Sequence, residues 1–439
     1  MPLKRCFGRG RDETPPSPPD ALAGLGEEEP APDDEALPEE AHERSWLDRA
    51  DAVLPTGAST GSKRVDVLYG GTGDDLPSHF AGASGALITD VHGVQYLDCT
   101  MALGAVALGY AEPRVTQAVV NAIAQGNVAA LSNYREVELA ERLCTIIPCA
   151  ERVQFLKTGA EATAAAVRLA RVYTARDHVI ACGYFGWHDW CSDAPGVPAS
   201  VRKTVSWIPF DELGALELAV SAAGSSLAAI VLEPVVEQAP SEAWLARARA
   251  LCDANGAVLI FDEIKTGFRV APGGYQEVCG VTPDLATFGK AMANGFPLAV
   301  VAGREALMNG ARDSWISSTL ASESSALAAA LAVLDWHDEA DICATLAETG
   351  REMRAAVDRA ISASGIGGVQ TIGIDPMWLM QWTDTDRENR FVAHAMRSGV
   401  LFKRGAYNFA AVAHDEAALR DIESAASAAF VSLVEEEGA

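Results

Sequence analysis

The period of the apolar positions changes several times along the chain, and each change marks an expected element. "SWLDRADAVLP" has the spacing of a short helix that Pro55 and Gly57 stop, and "GALITDVHGVQYLDCT" reads as a hairpin turning at His92 and Gly93. "AEPRVTQAVVNAIAQGN" opens near a proline and keeps Val115, Ala118, Val119 and Ile123 on one face, which predicts an amphipathic helix. From Glu151 onward short apolar runs alternate with helical stretches. "RVQFL" leads through Thr158 and Gly159 into "EATAAAVRLARVYTA", and "HVIAC" leads into "GYFGWHDW", which reads as a strand-to-helix junction. "AAIVLEP", "AVLIFDE" and "DLATFG" follow, each ending in polar or small residues. Runs apolar on both faces with polar carboxyl ends predict a mostly parallel α/β sheet, with ligands held beyond those ends. A third region begins near Asp335 with the helical "ICATLAETGREMRAAVDRAISAS" and continues through the strand-like "VQTIGIDPMWLMQW". A helix near "RENRFVAHAMRSG" and the terminal "DEAALRDIESAASAAFVSLVEEE" complete an α+β pattern. The expected organisation is a tail over 1–44, a small domain formed by 45–105 together with 335–439, and a large domain over 106–334.

Composition narrows the function classes. The net charge of -26, from 34 basic and 60 acidic residues, leaves no basic excess to displace counterions, which argues against a nucleic-acid partner. Twelve carboxylates and no Lys or Arg lie between Asp12 and Glu43, in a proline-rich stretch expected to stay extended or disordered. Lys4, Arg5, Arg9 and Arg11 precede no long apolar run, so neither a secretory signal nor a membrane span is expected and the location is read as cytoplasmic. The nine cysteines form no close ligand pair and are read as free thiols, with no metal site.

Four stretches carry candidate chemistry. Lys290, in "PDLATFGKAMANGF", follows an apolar run and stands between Gly289 and Gly295. It either keeps its ammonium in water or is desolvated beside a strand end, where a neutral amine could attack a carbonyl. Asp262 and Glu263 end the apolar "VLIFDE", either to pair with a buried cation or to face water with Arg269 as a structural partner. Thr158, Gly159 and the helix start near Glu161 form either an ordinary cap or a phosphate turn. In "GYFGWHDW" one ring is suited to stacking on a flat cofactor, while the others pack.

Taken in this order, with "LEPVVEQ" between the aromatic cluster and "FDE", the stretches resemble the class III, fold-type-I aminotransferases that use pyridoxal 5'-phosphate. Within them, "FDEIKTGFRVAPGGYQEVCGVTPDLATFGKAMANGFPLAVVAG" is similar to glutamate-1-semialdehyde aminomutase and its relatives. The resemblance runs from about Ala52 to the last helix and makes 106–334 the cofactor-binding domain. It implies that Lys290 binds the cofactor covalently and shuttles a proton, and that Asp262 pairs with the pyridinium nitrogen. It places Tyr184 on one ring face and Ile264 on the other. Gly159 and Ala160 then offer amides to the phosphate, and Gln238 stands near the 3-hydroxyl, with Glu233 a further site residue. Thr319 reaches the phosphate of the neighbouring subunit of a homodimer, or caps the helix that follows, or both.

The substrate half departs from the aminomutase pattern. Arg64 in "GASTGSKR" falls near the position that holds a substrate carboxylate. "GYFGW", including Trp187, replaces the usual "YHGH". "TLASES" replaces "TLSGNP" and sets Glu323 near the site entrance, or else facing solvent in the next helix's first turn. "LFKRGAYNFAAVAH" offers Arg404, Tyr407 and Asn408 where a glutamate-bearing segment is expected. These departures favour an aminotransferase of secondary metabolism, of the antibiotic-biosynthesis kind, moving an amino group from an amino acid such as glutamate to an aldehyde or ketone acceptor. A sugar, aminocyclitol or aminoglycoside intermediate is the expected acceptor, with Glu323 suited to a cationic one. The alternative is a glutamate-1-semialdehyde 2,1-aminomutase-like isomerase.

Overall fold

The computed structural model describes residues 45–71 and 75–438, so the acidic segment read as a disordered tail lies outside the described residues. Seven strands build the large sheet: β1 (Arg152–Leu156), β2 (His178–Cys182), β3 (Val205–Trp207), β4 (Leu227–Leu232), β5 (Val258–Asp262), β6 (Leu285–Phe288) and β7 (Ala299–Gly303). Across the sheet they run β1, β7, β6, β5, β4, β2, β3. Only β7 is reversed, pairing antiparallel with both β1 and β6, while the remaining pairs are parallel. Every residue of β4, β5, β6 and β7 is buried, which explains why these runs show no alternation in the sequence. Each aliphatic side chain enclosed this fully contributes about 1.5–3 kcal/mol. Helix α1 (Gly159–Thr174) buries Leu169 together with Ala162, Ala166 and Ala170, and these small alanines let it sit close on the sheet.

The smaller part joins both ends of the chain. Phe80–Ser84, Leu87–Asp90 and Gln95–Asp98 form an antiparallel sheet whose last strand takes Val400–Leu401 as a parallel neighbour. Two details differ from the sequence reading. "VQTIGIDPMWLMQW" is two strands, Val369–Ile374 and Met377–Trp382, because Asp375 and Pro376 turn the chain back. In the helix Pro113–Ile123 the buried face is Val115, Val119 and Ala122, so Ile123 is half exposed and Ala122 takes its place. The eight cysteines among the described residues are free thiols. No group of three or more His, Cys, Asp or Glu among the described residues could hold a metal ion, and no helix among them is long and apolar enough to cross a membrane.

One segment is strained. Met101, Ala102, Leu103 and Gly104 have φ of 44, 50, 59 and 79°, a left-handed turn of four consecutive residues. Such a conformation costs about 1–2 kcal/mol per non-glycine residue, so neighbouring contacts must hold it. Arg269 does so. Its guanidinium, fully buried, donates to the carbonyls of Gly104 (3.1 Å), Val106 (3.4 Å), Ala410 (2.7 Å) and Pro376 (3.3 Å) and lies over the Phe409 ring. It therefore binds carbonyls of the smaller part and not the Glu263 carboxylate that the sequence offered as its partner. Replacing it leaves several buried acceptors unpaired. We expect Arg269→Met to lower stability by on the order of 3 kcal/mol in urea unfolding; a change under about 0.5 kcal/mol would show that the turn is held by other contacts.

Candidate active site

The carboxyl ends of the parallel strands lie along one edge of the sheet, where the candidate residues are placed by tight backbone packing. At the start of α1 a capping box closes on itself: Thr158 Oγ1 accepts from the Glu161 amide at 3.2 Å, and Glu161 accepts from the amides of Thr158 and Lys157 at 3.0 Å. Among the described residues that leaves the amides of Gly159 and Ala160 without a hydrogen-bond partner. A Cβ on Gly159 would meet Ile264 at 3.2 Å, and one on Gly289 would meet the same side chain at 3.1 Å. Ile264 is thus wedged between the first turn of α1 and the residue before Lys290, which draws the ends of β1, β5 and β6 together.

After β2 the chain forms a loop with one short 3-10 turn at Asp189–Cys191, not the direct helix start expected. Gly183 (φ +132) permits this loop to touch Glu233, since a Cβ there would stand 2.6 Å from its side chain. The Tyr184 amide donates to Glu233 at 2.9 Å, and Thr163 donates to the Phe185 carbonyl at 3.0 Å. Phe185 and Trp190 are buried against each other. Tyr184 and Trp187 are 74% and 78% exposed, so it is these two rings that are free to meet a ligand.

Between these elements lies an ionisable cluster. Lys290 adopts a left-handed φ of 46°, and its ammonium makes no hydrogen bond or ion pair among the described residues. Burial draws its pKa down to about 8, and the neighbouring charge of Lys265 adds to the shift, while Glu233 and Asp262 oppose it. Asp262 accepts from the Ile264 amide (3.0 Å) and the Thr287 hydroxyl (3.1 Å), both on Oδ1. Burial, and then the charge of Glu233, push its pKa up. Lys265 joins Glu233 at 2.9 Å and stands 4.4 Å over the Tyr407 ring. Tyr407 in turn accepts from the Glu237 amide at 2.8 Å. Glu263, the other strand-end acid, is not a site group: it accepts from Thr266 and from the amides of Tyr275 and Gln276, fully enclosed.

The expected substrate residues are only partly assembled. Arg64 forms a two-pronged pair with Asp66 at 3.0 and 2.5 Å and lines a cavity that includes none of Lys290, Asp262 or Glu233. Arg404 bonds Asn389 and the Val67 carbonyl. Asn408 is buried and accepts from the Lys403 amide. Gln238 is exposed on an irregular turn after β4. Glu323 does not face solvent, contrary to the second of its two expected readings. It is buried, caps helix α2 (Ser324–Glu339) through the amides of Ser325 and Ala326, and pairs with Lys157 at 2.7 Å. Since Glu323 is the cap, Thr319 is not; Thr319 lines a separate cavity with Asn127, Asn133 and Tyr134. Lys265, Lys157 and Thr287 were not singled out from sequence. Lys265 had one available signal: a lysine two residues past a strand-end acid pair.

This architecture, with a lysine and an acid at adjacent strand ends of a mostly parallel sheet, defines a pyridoxal-phosphate enzyme of fold type I. The aminotransferase class-III family model matches residues 71–188 and 201–412, and the chain belongs to that family. It is 30% identical to glutamate-1-semialdehyde 2,1-aminomutase of Myxococcus xanthus (strain DK1622) over 430 residues, spanning 90% of this chain and 98% of the relative. It is 33% identical to 3-aminobutyryl-CoA aminotransferase of Cloacimonas acidaminovorans (strain Evry) over 335 residues, spanning 74% and 80%. Among solved structures, the pyridoxal-phosphate form of the FumI protein of Sphingopyxis sp. MTA144 superposes with a TM-score of 0.85 at 25% identity, covering 90% of this chain and 97% of that one. The protein is therefore a pyridoxal-phosphate-dependent class-III aminotransferase.

The depressed pKa sets a measurable pH dependence in the cofactor-free protein. The neutral amine of Lys290 increases as pH rises through about 8, so its acylation rises and levels there. Surface lysines follow at about 10.4. Lys265→Met should move the Lys290 midpoint upward, because a neighbouring cation is removed and Glu233 is left unpaired. A midpoint for Lys290 equal to that of the surface lysines would contradict the burial argument.

Proposed function

We propose that Lys290, Asp262 and the first turn of α1 hold pyridoxal 5'-phosphate, and that the chain uses it to relocate the amino group of a small oxo or amino acid. The observation carrying this reading is an unpaired, desolvated lysine within electrostatic reach of a buried acid that has one uncommitted oxygen. The residues fit the cofactor. The free amides of Gly159 and Ala160 suit its phosphate, and a protonated ring nitrogen beside Asp262 would return that acid to its ionised form against the cost of burial. Tyr184 and Ile264 are suited to the two ring faces, with Gln238 and Glu233 at the rim. When bound, pyridoxal phosphate supplies an electron sink for the carbon that loses its proton. Lys290 is the base that removes this proton and returns it, and its pKa near neutrality suits both directions. Glu233 and Lys265 fix the Tyr184 backbone and Tyr407 around that lysine. The same reading makes the working unit a homodimer in which Thr319 serves the partner's phosphate. Leu131 and Tyr134, which line the Thr319 cavity, are 85% and 58% exposed in the single chain.

Amino-group relocation within one molecule, the reaction named for the Myxococcus relative, is the first reading because that relative spans nearly the whole chain. Transfer from glutamate to an aldehyde or ketone is the second, supported by the 3-aminobutyryl-CoA aminotransferase relative. A cationic sugar or aminocyclitol acceptor loses its main argument, since the Glu323 carboxylate meant to meet it is taken by Lys157 and the helix cap. Purified protein given glutamate-1-semialdehyde without any donor should isomerise it. Formation of 2-oxoglutarate from glutamate only when a carbonyl acceptor is present would instead select the second reading. Lys290→Ala should lower either activity on the order of 10³-fold or more; full activity in that variant would sink both.

A further inference from the structure

A second cavity, of about 190 Å³, lies in the smaller part between the hairpin sheet, the left-handed turn and the strand Val400–Leu401. Its walls are mainly apolar, including Leu68, Ile88, Leu103, Met396 and Leu401. Lys403 also lines it, only 5% exposed, and its side chain makes no ion pair and no hydrogen bond among the described residues. A buried ammonium without a partner is costly, and water or an anion must compensate it.

The two acids of the cavity do not answer that charge. Asp98 accepts from the Thr100 amide and the Tyr110 hydroxyl, both at 2.6 Å. Asp90 accepts from the amides of His92 (2.8 Å) and Val94 (2.9 Å), with the Tyr96 hydroxyl also on its carboxylate. Glu388 acts on Lys403 only through space, its own oxygen taking the Gly405 amide at 2.7 Å. The acids are satisfied internally and the lysine is not. Asp90, Asp98 and Lys63 line the cavity as well, but neither acid acts on Lys403, whose ammonium is left without a partner among the described residues.

We propose that this cavity is a binding site for a small organic carboxylate, whose head pairs with Lys403 and whose apolar body lies against Leu68, Ile88 and Met396. A cavity of this size is below the range for drug-sized ligands and suits a compact acid. The site is distinct from the cluster around Lys290, none of whose members lines it, and it does not rest on the assignment of the reaction.

The test uses calorimetric titration of the cofactor-loaded protein with benzoate as the probe, and with benzyltrimethylammonium as its cationic counterpart. The parent should bind benzoate and not the cation. Lys403→Met should weaken benzoate binding by about 10- to 100-fold, the loss of one charge-assisted hydrogen bond, and Lys403→Arg should keep a measurable part of it. Thermal unfolding of Lys403→Met should occur at or above the parent temperature, because an unpaired buried charge has been removed, so lost binding would not be lost folding. Equal benzoate affinity in Lys403→Met, no benzoate binding by the parent, or preference for the cation would each overturn the proposal.

Discussion

Removing an ammonium from water is expensive, and the position of Lys290 makes the whole sheet edge respond to that cost. The lysine follows a strand buried along its entire length and adopts a left-handed backbone conformation, with Ile264 closing the space behind Gly289. Burial and the charge of Lys265 disfavour its protonated form there, so the amine is held near neutrality. The neighbouring groups share the constraint. Glu233 is paired to Lys265, and Asp262 retains one uncommitted oxygen. In the proposed function, pyridoxal phosphate would answer the deficits of Lys290 and Asp262 together.

Support for that edge comes from far along the chain. Asn294, four residues after Lys290, accepts from the amides of Ala107 and Leu108 and donates to Gly109. Arg269 binds the carbonyls of Gly104 and Val106. The left-handed turn is thus fastened to the lysine segment on one side and to the strand-end loop on the other. Strain stored in the small part is balanced by hydrogen bonds that the large sheet provides.

The sheet, its helices and the lysine were legible in sequence because each is a local pattern: apolar runs of strand length, polar carboxyl ends and glycines where backbones approach. The substrate half was not. Arg64, Arg404 and Glu323 read as free charges because their partners are invisible in the pattern of any one segment. Arg64 is the exception, its partner Asp66 standing two residues away in the helix that Arg64 caps, whereas Glu323 meets Lys157 across 166 positions of chain. Glu263 and Arg269 show the same difficulty: adjacent in sequence to a reactive strand end, both are taken by backbone groups of other elements. Lys403 went unnoticed because a lone lysine carries no mark of its burial, and Lys265 because its place after the strand-end acids says nothing of its partner.

The central claim is that Lys290, among all lysines of the chain, meets the cofactor. The most direct measurement is borohydride reduction of the cofactor-loaded protein followed by peptide mapping of the pyridoxyl group. The account predicts the label on the peptide containing Lys290, at about one group per chain. Label on Lys265, Lys157 or Lys403, with Lys290 unmodified, would contradict it.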